Sequence, residues 1–156
     1  MWLLINIILT LIASYIIYNT ALSFLGLYIP FKRTVFPILL FSMLLFISKI
    51  VFKASPIVHT IILVNICAII TCLFNRIGFI LSLCASLITI IIIIGSLLIV
   101  CPLLNNFGVN LTTISFNNLD WIILNIGELF IPLLFLMVNR MNKFSLINQI
   151  INIPDN

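Results

Sequence analysis

Glu128 poses the hardest chemical problem in this chain of 156 residues. It stands inside Asp120 to Arg140, DWIILNIGELFIPLLFLMVNR, a stretch otherwise suited to hydrocarbon. A charged side chain at the centre of a membrane helix costs roughly 2.5–3.5 kcal/mol on insertion scales, so it faces protein or water and marks a functional site by default. Pro132 follows four residues later and has no N–H to offer the carbonyl of Glu128. Backbone and side chain at this level therefore both call for a neighbouring helix, a polar side chain or trapped water. The groups placed to answer are Lys49 and His59, with Lys53 and Asp120 nearer the rim.

Two uses of such a cluster are open. Glu128 paired with Lys49 or His59 would tie the second, third and fifth helical runs together. Alternatively the same residues form a polar pocket open to the outside that holds a ligand, with Glu128 as counter-ion and Pro132 as hinge. Catalysis has less to stand on. His59 and Cys67 are eight residues apart, about 12 Å along a helix axis, too far for a thiolate to share a proton with the imidazole. There are no paired carboxylates, metal-ligand spacings or Ser/His/Asp sets in the runs, so no enzyme, metal or cofactor is expected. Cys67, Cys72, Cys84 and Cys101 lie in apolar runs without a CxxC pair and read as small packing residues.

The elements that must position these groups are membrane helices. With 64% hydrophobic and 6% charged residues and a mean hydropathy of +1.42, the chain lies outside the range of soluble domains. Five apolar runs are expected to form an all-α polytopic transmembrane bundle over 1–141, with a short amphipathic tail over 142–156. The first, Trp2 to Tyr28, is long enough for a tilted span, with its aromatic ends at the two interfaces. The second, Val35 to Phe52, follows the stop at Pro30, Lys32 and Arg33 and carries Pro37 in its first turn. The third runs from Ile57 to Phe74, with Ser55 as N-cap and Pro56 as the first helical residue. The fourth, Ile77 to Leu104, carries Ser82, Ala85, Ser86 and Thr89 at three- and four-residue spacing, a small face for close packing. The uncharged loop Asn105 to Asn118 leads to the fifth run. Beyond it, Phe144, Ile147, Ile150 and Ile151 suit a helix lying on the membrane or a homodimer contact.

Charge sets the orientation. Lys32, Arg33, Arg76, Arg140 and Lys143 fall on one side of a five-span chain, Lys49 and Lys53 on the other. The positive-inside rule then gives a cell-membrane protein with its N-terminus outside and its C-terminus cytoplasmic. In that arrangement the ionisable groups within the runs gather in the outer half. The scattered bases act as topology anchors and give no nucleic-acid surface, although the net charge is +4.

A hairpin ending in KASPIVHTIIL, a span closed by the single Arg76, and a last span reading ILNIGELFIPLLF before a basic exit resemble the N-terminal membrane sensor module of GHKL-type histidine kinases of the accessory-gene-regulator kind. The likeness covers nearly the whole chain and rests on apolar character and a few polar landmarks. It implies a bacterial two-component sensor that perceives an extracellular signal, often a peptide, and relays it through the last span to a kinase partner. The sequence up to Asn156 departs from the family in holding no phospho-accepting histidine and no nucleotide-binding motif. The resemblance thus implies a sensor or regulatory module and assigns no catalytic residue. A rival expectation is a small transporter or transporter subunit using Glu128 and Lys49 as an ion site; another is a structural membrane partner.

Overall fold

A computed structural model describes residues 1–48, 56–107 and 119–142. Within them the chain forms five α-helices and no strand: α1 (Trp2–Phe24), α2 (Phe31–Phe46), α3 (Pro56–Asn75), α4 (Phe79–Asn106) and α5 (Leu119–Asn142). Three are long and apolar enough to cross a bilayer, over Leu3–Phe24, Phe79–Asn106 and Ile122–Asn142, and α3 adds a shorter apolar stretch at Thr60–Asn75. The architecture is the expected all-α bundle, with the surface of a membrane protein. Large apolar side chains such as Leu4, Ile80, Leu98 and Phe130 point outward from all sides of it.

The centre belongs to α1, which packs against each of the other four helices. The others form an arc around it, α2 on α3, α3 on α4 and α4 on α5. An apolar-all-round sequence suits a central helix, because no face of it needs water. Tyr18, Ala21 and Leu22 are fully buried there, together with Ser14, Asn19, Thr20 and Ser23. These polar groups fit an apolar interior because most bond within their own helix. The Thr20 hydroxyl donates to the Ile16 carbonyl at 2.7 Å, and Ser23 to Thr20 at 2.8 Å.

The small face of α4 lies where the sequence puts it. Ser82, Ala85, Ser86 and Thr89 are all buried, and Ser96 extends the stripe. Ser86 and Thr89 donate to the Ser82 and Ala85 carbonyls at 2.9 Å, whereas the Ser82 hydroxyl is buried without a hydrogen-bond partner among the described residues. Of the cysteines, Cys67 is buried in the core, Cys72 and Cys101 are half-buried, and Cys84 is exposed on the outer face; all four are free thiols.

Three local expectations are corrected. The first helix ends at Phe24 rather than continuing to Tyr28, because Gly26 takes φ 72° and closes a Schellman turn. In it the Gly26 N–H donates to Ser23 and the Leu27 N–H to Leu22, both at 3.0 Å. The second helix begins at Phe31, so Lys32 and Arg33 form its first turn instead of a linker. Pro37 consequently lies seven residues in, buried inside the helix and beyond its first turn. Helix α3 is described from Pro56, its expected cap Ser55 lying outside the described residues, and Asn75 closes it, with Arg76 turning at φ 56°.

The helix order brings the ends of α1, α3 and α5 and the starts of α2 and α4 together. Phe36 of α2 meets Phe74 of α3 with ring centres 5.6 Å apart, and Tyr28, past α1, reaches Asn139 of α5. Every described lysine and arginine, Lys32, Arg33, Arg76 and Arg140, lies at this basic end.

Candidate functional site

At the basic end α5 is latched to α1. Carbonyls near the end of an α-helix look for donors outside their own ladder, and the Asn139 carbonyl, in the last described turn of α5, finds one in α1's exit. The Tyr28 hydroxyl donates to it at 2.8 Å. Tyr28 can do so because the Gly26 turn carries the chain back over the end of the bundle. Burial pushes the Tyr28 phenol above its ordinary value, and the positive charge of Arg140 pulls the other way. The phenol thus stays neutral and able to donate through the physiological range.

The side chains repeat the link. Asn139 is buried and donates through Nδ2 to the Ser23 hydroxyl at 3.2 Å. Ser23 already donates to the Thr20 carbonyl, which leaves its oxygen lone pairs to accept. One turn earlier on α1, the Asn19 amide gives its N–H to the Tyr15 carbonyl at 2.9 Å. That turns its oxygen toward α5, where the Arg140 guanidinium donates to it at 3.3 Å. A second tie joins α1 to α3. Asn75 donates to the hydroxyl of the fully buried Tyr18 and to the Thr71 carbonyl, each at 3.0 Å.

About three turns from the latch, α5 meets α4 differently. A Cβ on Gly127 would come within 2.6 Å of Val100 Cγ1, so only a glycine lets the two helices approach this closely. The Ser96 hydroxyl reaches across to the Gly127 carbonyl at a long 3.4 Å. Glu128 lies at this level, half-buried and engaged with another group. Leu129, Pro132, Leu136 and Asn139 continue along the inward face of α5 and are all buried. The expected hinge therefore separates an acid-bearing segment from the latched segment.

The other residues singled out by sequence are placed only in part. Lys49 and Lys53 lie outside the described residues. His59 is the fourth residue of α3 and Asp120 the second of α5, both at the end opposite the latch. Among the described residues no group of His, Cys, Asp and Glu is arranged to hold a metal. Sequence reasoning missed Asn19, Ser23, Tyr28 and Asn139, and it took Arg140 for an ordinary anchor. The available signal was the run of polar residues Ser14, Asn19, Thr20 and Ser23 within an apolar span. No protein-family model, curated protein or solved structure matches this chain.

Proposed function

We propose that the protein is a non-enzymatic membrane sensor or regulatory module that receives a signal outside the cell and relays it through α5. The observation that carries this reading is the construction of α5. Glu128, Pro132 and the latch at Asn139 and Arg140 follow one another on a single helix, which would let a change at the acid be felt at the basic exit. A proline-containing helix that is clamped at one end and bears a costly acid at mid-depth suits a two-position element better than a static strut. The receiving site is proposed around Glu128, with His59 and Asp120 toward the opposite end and, by sequence, Lys49 and Lys53 as further candidates. An extracellular peptide or small ligand is the proposed signal, and a kinase or a second copy of the chain the proposed recipient. The basic end is assigned to the cytoplasm by the positive-inside rule.

Spin labels at Met141 and Phe74, both exposed at the basic end, test the relay without a known ligand. In Glu128→Gln the distance distribution should shift or broaden relative to wild type while helicity is kept. An unchanged distribution would remove the coupling on which the reading depends. Reconstitution in liposomes tests the transporter alternative, since proton or cation flux that disappears in Glu128→Gln would replace sensing with transport.

A further inference from the structure

One surface feature has a composition that the relay does not account for. Between the start of α2, the end of α5 and the exposed flank of α1 lies a hollow of about 460 Å³, headed by Asn19, Tyr28 and Arg140 and floored by Tyr15 and Phe31. Tyr15 and Phe31 also line the next hollow, which continues between Leu11, Ile12 and Leu39. Leu11 and Leu39 are shared in turn with a third, which ends at Ile7, Met43 and Phe46. The three follow one another along α1 and α2 as a groove of linked hollows, with the Tyr15 and Phe31 rings, 5.9 Å apart, between the first and the second.

The groove has a polar charged head and an apolar body. Its two hydroxyls below the head are turned to their own helices, Thr10 donating to Asn6 at 2.7 Å and Ser42 to Leu39 at 2.9 Å. The apolar walls are open, with Phe31, Leu39 and Met43 each half or more exposed. From Asn19 to Ile7 the groove runs about 18 Å along α1, a little more than half of a hydrocarbon core roughly 30 Å thick. It therefore matches one leaflet.

Charge decides the head. Arg140 has five donors, and its described side-chain partner is the neutral Asn19 oxygen. Lys32 and Arg33 stand in the adjoining first turn of α2. Of the three acids in the chain, Asp120 lies at the other end, Glu128 about 18 Å along α5, and Asp155 outside the described residues. Among the described residues the head thus gathers cations without a carboxylate. A guanidinium that spends one of its five donors on Asn19, above an apolar channel of leaflet depth, fits a phosphate ester that carries acyl chains.

We propose that this groove binds an anionic glycerophospholipid from the leaflet at the basic end, with the phosphate at Arg140 and an acyl chain laid between α1 and α2 toward Ile7 and Met43. The site shares Asn19, Tyr28 and Arg140 with the latch but does not require that α5 relay a signal. A lipid there would bridge α2 and α5 across α1, two helices that are otherwise joined mainly through it.

Native mass spectrometry of the protein released from nanodiscs of equal phosphatidylglycerol and phosphatidylethanolamine tests the site. Wild type should retain phosphatidylglycerol over phosphatidylethanolamine by about fivefold, the scale of one cation–headgroup contact. Arg140→Gln should bring the ratio near one, and Arg140→Lys, which keeps the charge, should preserve most of it. Leu39→Trp, which fills the channel and leaves the head intact, should lower retention of both lipids. Equal retention by wild type would overturn the proposal, as would a preference that survives Arg140→Gln. Undiminished binding in Leu39→Trp would leave only surface attraction and no groove. If Arg140→Gln does not fold, Arg140→Lys and Leu39→Trp still decide between these outcomes.

Discussion

Near Gly127 the last helix touches α4 through backbone against side chain, with room for no Cβ. At Asn139 and Arg140 the same helix touches α1 through amide, hydroxyl, phenol and guanidinium. The first contact works mainly by shape, with one long hydrogen bond from Ser96 to the Gly127 carbonyl across it. The second works by directed hydrogen bonds, which can be exchanged one for another or for lipid and water at modest cost. Pro132 lies between them. One continuous helix thus meets its two neighbours through contacts of different kinds on either side of a proline.

Substitution at the shape contact should have the largest effect. Gly127→Ala places a methyl against a β-branched side chain that has little freedom to turn away, so destabilisation of about 1–3 kcal/mol is expected. It would be read as a lower thermal midpoint in detergent micelles. Val100→Ala in the same chain should recover most of the loss. If Gly127→Ala melted like wild type, the approach of α4 and α5 would not depend on the glycine, and the contrast between the two contacts would fail.

The latch should respond less. Asn139→Ala removes the bond to Ser23 but keeps the backbone carbonyl that accepts from Tyr28, so about 0.6–1.7 kcal/mol is expected, the range of hydrogen bonds between membrane helices. Combining it with Ser23→Ala should add little further loss, because both remove the same bond. Fully additive losses would show that Asn139 acts through packing rather than through Ser23.

The smallest effect concerns pH. The folded state favours the neutral Tyr28 phenol, its titration being raised above the ordinary value near 10. A raised folded value means that this contribution is fully present below about pH 10 and is lost as pH climbs through the folded value. Melting points should therefore be flat in this respect from about pH 7 to 9 and decline above about pH 10. Tyr28→Phe should start slightly lower and show a shallower decline. Equal slopes for the two proteins would mean that the phenol contributes nothing to the latch.

The particular residues show how far local information reaches. The apolar runs are signals that each helix carries for itself, and α3, α4 and α5 lie close to where those runs put them. Ser82, Ala85, Ser86 and Thr89 could be read as a packing face because their spacing alone puts them on one side of a helix. Gly26 was equally visible, but its stop is made by hydrogen bonds back to Leu22 and Ser23 that an apolar count does not register. Pro37 was misplaced because the cations before it looked like a linker, whereas long basic side chains tolerate the first turn of a helix at an interface.

By itself the sequence determined the class, the helices and the basic end, because hydrocarbon solvation, helical period and charge act residue by residue. It also marked Glu128 and Pro132 as unusual, since a mid-depth acid and a missing N–H are costly in any membrane helix. Tertiary structure decided which polar residues meet. The polar residues of α1 mark its buried face, but four helices pack around it, so nothing local shows that Asn19 and Ser23 turn toward α5 rather than toward α3. That choice is made by the arc of four helices around α1, which brings Asn139 and Arg140 within reach of it and leaves one flank of α1 and α2 open.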